Sequence, residues 1–250
     1  MRSDGSPRAP VVLLIGAGGI GAPAALALAH AARGGAGRFS LHVADDDVVE
    51  ASNLHRQLLF GAADVGRPKL DAFADALARI APELEVTLHR GRFLPDVALA
   101  LAGASDVILD ASDNFATRFL ACDAARLAGR PIVHAAAVRW QATVLATAAA
   151  GRPCYRCLFE DFPEGPAPDC ASAGVLGPVC GVAGAIGADL ALRALAGDAS
   201  AFGAIFTYDG RTDRLRRVAV GARASCALCG LAPSIQAVVP GRYVDEAACS

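Results

Sequence analysis

The chain has 250 residues, 54% of them hydrophobic, with 23 basic against 25 acidic side chains and a formal net charge of −2. That is enough apolar material for one well-filled domain or two small ones, and near-neutral charge with scattered arginines excludes the electrostatic footprint that nucleic acid requires. The composition is skewed further: 57 alanines and 22 arginines accompany one lysine, Lys69, and two asparagines, Asn53 and Asn114. No Gly-Lys-Ser/Thr occurs, which excludes a Walker-type phosphate loop, and His-Glu-x-x-His and Gly-x-Ser-x-Gly are absent as well.

Val11 to Ile15 is an unbroken apolar run that stops at Gly16, as a buried parallel strand does. An alanine-rich helix is expected from Ile20 to Arg33, then a strand over Phe39 to Ala44 that ends in Asp45-Asp46-Asp47. Pro68 suits the first turn of a helix, and Leu70, Phe73, Ala74, Leu77 and Ile80 follow at helical spacing. Strands over 85–89, 106–109 and 131–136 alternate with helices over 96–102 and 114–128. Such alternation implies a parallel sheet with helices on both faces, a Rossmann-like, doubly wound α/β arrangement. Beyond it the pattern predicts a strand over 143–148, an irregular Pro/Gly/Cys-rich stretch over 151–174, and a small-residue helix over 175–195. That helix carries no charge before Asp189 and is expected to be almost wholly buried. Two short strands, 205–208 and 215–220, close the ordered part, and the mostly parallel sheet is expected to continue into antiparallel strands. The 22 uncharged residues from Val11 to Ala32 resemble a membrane span only by length. The glycines and proline in their middle fit a strand-to-helix turn instead. Without an export signal or a disulfide-dense cysteine pattern, the expected setting is cytoplasmic.

Gly16-Ala17-Gly18-Gly19-Ile20-Gly21 falls between a strand and a helix, where backbone N–H groups and the helix N-terminus receive a phosphate or ribose. Asp45, at the end of the second strand, is placed for ribose hydroxyls, and Asp47 follows it. These features indicate an adenine nucleotide without separating NAD from ATP. A second set favours ATP: Asn53, Arg56 and Gln57 after the acid run, Lys69 in Gly66-Arg67-Pro68-Lys69, and Asp113-Asn114 after the fourth strand. A triphosphate needs cations for its charge and a carboxylate for magnesium, whereas a dinucleotide needs little of either. Taken singly, Arg56 reads as a surface arginine and Asp113 as a helix cap. Together they gather the only lysine and both asparagines of the chain.

Two Cys-x-x-Cys units, Cys154/Cys157 and Cys226/Cys229, have the spacing of a closed structural zinc site. The alternatives are two redox pairs or unrelated thiols, disfavoured because neither pair reads as opening a helix. Cys170, in the irregular stretch, is a candidate nucleophilic thiolate or an incidental thiol. Cys122 and Cys180 fall in helices and read as core, Cys249 lies in a tail, and the five histidines show no ligand spacing among themselves.

This set of residues resembles the ThiF/MoeB/HesA family, bacterial relatives of the ubiquitin-activating enzymes. The likeness runs in order through Gly16-x-Gly18-Gly19-x-Gly21, Asp45-x-Asp47, Ser52-Asn53-Leu54-x-Arg56-Gln57, Gly66-Arg67-Pro68-Lys69, Asp110-x-Ser112-Asp113-Asn114, Pro153-Cys154-Tyr155-Arg156-Cys157-Leu158, Cys170-x-x-x-Gly174-Val175-x-Gly177-Pro178 and Cys226-x-x-Cys229. It implies one adenylation domain over 11–230, with tails over 1–10 and 231–250. It also implies ATP-dependent adenylation of the C-terminal glycine of a ubiquitin-like sulfur carrier ending in Gly-Gly. Asp45 would hold ribose, Asn53, Arg56 and Lys69 the triphosphate, Asp113 magnesium, and the four paired cysteines zinc. Cys170 matches the cysteine that the thiamine branch links to its carrier. The resemblance further implies a homodimer and a separate sulfur donor of desulfurase or rhodanese type. The Asp45-Asp46-Asp47 run and Leu176-Gly177-Pro178-Val179 favour the thiamine branch over the molybdopterin branch. Two departures stand out. Ten residues precede the first strand, where the family usually has a helical Arg-Tyr-x-Arg-Gln segment, and Ala142-Thr143 replaces the usual Gly-Gln.

Overall fold

The computed structural model describes residues 8–35, 37–162 and 174–243. In chain order they form β1 (Val11–Ile15), α1 (Gly21–Arg33), β2 (Ser40–Asp45), α2 (Lys69–Ile80), β3 (Glu85–Arg90), α3 (Pro95–Ala104), β4 (Val107–Asp110), α4 (Phe115–Ala128), β5 (Ile132–Val138), β6 (Gln141–Thr147), α5 (Tyr155–Leu158), α6 (Gly177–Leu195), β7 (Ala204–Asp209) and β8 (Arg214–Ala219). The expected elements are all present, with ends moved by at most two residues. The strands make one sheet in the order β3-β2-β1-β4-β5-β6-β7-β8. Its first five members pair in parallel and β6, β7 and β8 are antiparallel.

Side chains alternate across the sheet. Val12 and Leu14 of β1 join the core under α1, α2 and α6, whereas Leu13 and Ile15 join the core under α3, α4 and α5. Because both faces are covered, β1 and β4 are buried throughout, which is why their sequences read as continuous apolar runs. By contrast β8 is an exposed edge strand whose Arg214, Arg216 and Arg217 leave an uninviting template for further pairing.

One expectation fails here. The helix α6 is covered on one face only: Val179, Cys180, Ala183, Gly187 and Leu190 are buried, while Pro178, Ala185 and Asp189 are exposed. Its buried face packs on α1 so closely that a Cβ at Gly184 would lie 2.7 Å from the Ile20 carbonyl oxygen. Small residues in α6 therefore serve helix approach as much as burial. Among the described residues it is the one helix long and apolar enough to cross a membrane, and its packing on α1, β5 and β6 is that of a core helix. The run from Val11 to Ala32 is divided between β1 and α1 and is no continuous span.

Candidate functional site

Strand order reverses between β1 and β4, so the connections that follow them leave to opposite faces of the sheet and open a crevice beyond their paired C-terminal ends, the place where open α/β sheets bind ligands. The glycine loop leaves β1 there. Gly16 has φ +89°, and a Cβ on Gly21 would strike the Gly16 carbonyl oxygen, so both positions demand glycine. The cleft is lined by Gly16, Gly18, Gly19, Ile20, Asp45, Asp47, Asn53, Arg56, Gln57, Lys69, Ser112, Asp113 and Arg118, with Val175 and Cys180 from the α6 side.

Asp45 fixes the loop from below. Its Oδ2 accepts the Ala17 N–H at 2.7 Å and its Oδ1 accepts the Asp47 N–H at 2.9 Å. Burial nevertheless raises its carboxyl above the ordinary aspartate range, against the pull of Lys69 and those two N–H groups. Lys69 opens α2, which begins after Pro68, and its own N–H donates to the Asp47 carbonyl oxygen at 2.8 Å. The segment between β2 and α2 is tied back by a bridge between Val48 and Pro68, which brings Lys69 under the loop. Its side chain is 4% exposed, with Nζ 2.6 Å from Asp47 Oδ2 and 3.9 Å from Asp45 Oδ1. The lysine charge is thus held at the cleft by acids that remain able to share it with a ligand.

The structure gathers Gly16, Gly18, Gly19, Asp45, Asp47, Asn53, Arg56, Gln57, Lys69 and Asp113 on one cleft. Gly21 stands just behind them as the buried first residue of α1. Asn114 lies apart, in an adjoining groove with Asp46, Arg92 and Thr117. Asn114, rather than Asp113, caps α4, its Oδ1 accepting the Thr117 N–H at 2.8 Å. That leaves Asp113 exposed at the cleft with its carboxylate available to a cation. Arg67 turns away to pair with Asp64 and Asp75. Sequence reading missed Arg118: one helical turn beyond Asn114, it is buried, bonded to the carbonyl oxygens of Ala135 and Ser112, and lines the cleft. Four-residue spacing from Asn114 was the available signal. The cleft also contains a buried acceptor, Gln57 Oε1, that has no partner among the described residues, as expected where a polar ligand completes the site. Cys170 lies outside the described residues.

The Sγ atoms of Cys154, Cys157, Cys226 and Cys229 all lie within 4.8 Å of one another, and all four residues are buried. Neighbouring pairs stand at 3.4 to 3.9 Å, close to the edge of about 3.8 Å expected of a tetrahedron with zinc–sulfur bonds of about 2.3 Å. Contact with Cys122 and then burial push the Cys154 thiol up, and burial does the same to Cys229. Cys157 goes down despite burial because the Arg223 N–H bonds its sulfur at 3.4 Å. Buried thiols at this spacing become four thiolates only around a cation. One expectation is corrected: Cys154 does open a helix, the single turn α5. The clustering of all four sulfurs, not the lack of a helix, is what separates them from two independent redox pairs.

Fold and cleft together define an α/β nucleotide-binding protein with a glycine loop, an acid beneath it and cations facing it. Residues 8–229 match the model of the ThiF family, and the chain belongs to that family. It is 40% identical over 233 residues to the adenylyltransferase and sulfurtransferase MOCS3 of Mus musculus, an alignment covering 91% of this chain and 49% of that protein. The chain thus spans about half the length of such relatives. To the sulfur carrier protein ThiS adenylyltransferase of Escherichia coli K12 it is 37% identical over 220 residues, 88% of this chain and 85% of that protein. Among solved structures, E. coli MccB superposes with a TM-score of 0.76 at 21% identity, over 90% of this chain and 66% of that one, a likeness of fold.

Proposed function

We propose that this chain is an ATP-dependent adenylyltransferase that activates the C-terminal carboxylate of a small ubiquitin-like sulfur carrier ending in Gly-Gly. The observation that supports this most is the convergence of Asp45, Arg56, Lys69, Asp113 and Arg118 on one glycine-floored cleft. In this reading Asp45 orients the ribose, and the loop after β1 receives the phosphates. Arg56 and Lys69 offset the charge that grows as pyrophosphate leaves, and Asn53 and Gln57 donate to phosphate oxygens. The carboxylate is already a nucleophile, so positioning and charge neutralisation suffice. Magnesium fits the open carboxylate of Asp113, where it would screen the triphosphate. Zinc fits the four cysteines as a structural ion.

The thiamine branch suggested by the sequence gives way to the alternative. The MOCS3 proteins of mouse and cattle, at 40% and 41% identity, support a carrier of the molybdopterin type over ThiS. A homodimer, a separate sulfur donor and a covalent role for Cys170 belong to the same proposal and rest on the resemblance. The test is carrier-dependent exchange of labelled pyrophosphate into ATP. Exchange with a MoaD- or Urm1-type carrier and little with ThiS is expected. Exchange with neither carrier, or tight NAD binding in place of ATP, would overturn the proposal. For Cys170, full sulfur transfer by Cys170→Ala would remove it from the mechanism.

A further inference from the structure

A second pocket, about 190 Å³, opens beside the nucleotide cleft and shares Asp113 and Arg118 with it. Its other walls are apolar and aromatic, chiefly Phe115, Leu145, Tyr155 and Phe159. His134 of β5 lines it and is 2% exposed. Parallel pairing of β4 with β5 sets His134 directly beside Asp110, and His134 Nδ1 lies 2.7 Å from Asp110 Oδ2. The other carboxylate oxygen, Oδ1, accepts from the Ser112 N–H at 3.0 Å and from the Ser112 hydroxyl at 2.6 Å. Burial would raise the Asp110 carboxyl, but the bond from His134 and the charge of Arg118 outweigh it and hold the group below the usual range.

With Nδ1 donating to Asp110, the corresponding neutral tautomer of the ring presents a bare, accepting Nε2. That Nε2 is buried and has no hydrogen-bond partner among the described residues. A polar acceptor kept dry in an apolar wall awaits a donor. Because the pocket shares Asp113 and Arg118 with the nucleotide cleft, its fitting occupant is whatever delivers a carboxylate to the nucleotide. For an extended peptide tail, the donors nearest that carboxylate are the last main-chain N–H groups.

We infer that His134, set by Asp110, is a positioning residue for the substrate tail, its Nε2 accepting a main-chain N–H of one of the last two residues. This rests on the function proposed above. It makes tail recognition depend on the backbone of the terminal residues, with the aromatic walls restricting their side chains.

The test compares a ubiquitin-like carrier ending in Gly-Gly with two semisynthetic versions in which the last or the penultimate amide is an ester, removing one N–H each. Binding is measured by titration onto the protein loaded with a non-hydrolysable ATP analogue. One ester should bind about tenfold more weakly to the wild type, the worth of about one hydrogen bond. The same ester should lose nothing further against His134→Leu. In turnover, His134→Leu should raise KM for the carrier about tenfold and leave KM for ATP and kcat unchanged. His134→Gln removes the bond to Asp110 as His134→Leu does, but returns an amide oxygen near the place of Nε2, so it should recover much of the affinity. Equal binding of both esters and the amide, or equal losses in the Leu and Gln variants, would overturn the inference and reduce His134 to a structural role. If the amide outbinds one ester yet no pyrophosphate exchange occurs, the adenylation reading fails while this one stands.

Discussion

The two faces of the sheet handle buried polarity in opposite ways. On the α1, α2 and α6 side, the two most buried charges of the loop floor are partnered within the protein: Lys69 with Asp47, and Asp45 with the N–H groups of Ala17 and Asp47. On the α4 and α5 side, the sulfurs of four buried cysteines are packed within 4.8 Å of one another. The first arrangement stands without its ligand. The second has the geometry of a cation site, and an ion held there would join the segment around α5 to the chain near Cys226. Ligand removal should therefore affect activity on one side and the fold itself on the other.

The largest effect is expected at the cysteines. Structural zinc contributes about 10–16 kcal/mol of binding free energy in small peptides, against a typical total stability of about 5–15 kcal/mol. Cys229→Ser, or treatment with a strong chelator, should abolish stoichiometric zinc by elemental analysis and lower the melting temperature by at least about 10 °C. Unchanged melting after metal loss would break the comparison at its root. Next comes the buried ion pair beneath the cluster. Arg156 Nε and Nη2 meet the two oxygens of Asp123 at 2.7 and 2.9 Å, and the Tyr243 hydroxyl donates to Asp123 at 2.8 Å. Asp123→Ala strands a buried guanidinium and should cost about 3–5 kcal/mol in urea denaturation, whereas replacing both partners by apolar residues should cost less.

Much of this division was legible in the sequence, though unevenly. Continuous apolar strands such as β1 and β4, Pro68 ahead of α2 and the glycine loop carry local signals. Lys69 and Asn53 were recognisable because their residue types are scarce in the chain, and Asp45 and Asp113 because they follow expected strand ends. What escaped depends on neighbours distant in sequence. The pairing of His134 with Asp110 exists only once β4 and β5 are in register. His42 and His89 likewise meet across β2 and β3, at 3.2 Å between ring nitrogens. The half-exposure of α6 is set by what packs on it, not by its own pattern. A helix of four residues such as α5 is too short for periodicity to register.

On the cleft side, Lys69→Ala should reduce pyrophosphate exchange about 100-fold, the usual scale for removing one group that stabilises developing charge. Its melting temperature should stay within about 5 °C of wild type, since Asp47, the closer partner, is 67% exposed on its side chain. Zinc content should not change. A melting loss as large as that of Cys229→Ser would show that the cleft is held together by its lysine and erase the distinction between the two faces.

The smallest expected effect lies at the far end of α6 from the cleft. Asp198 accepts from the Ser200 N–H and hydroxyl and from Arg193 Nε at 2.8 Å. The bond from the Ser200 hydroxyl, followed by that from Arg193, lowers its carboxyl to about 2. A depressed folded-state value means that the contribution is full above the unfolded value of about 3.9 and is lost as pH falls through about 2. Asp198→Ala should therefore lower the melting temperature by no more than about 2 °C near neutrality, because the pair is solvent-screened. The difference from wild type should shrink toward zero at the acid end. A difference that persists or grows at low pH would assign the effect to backbone capping of 199–201 independent of charge, and would remove the Asp198 charge from what fastens the end of α6.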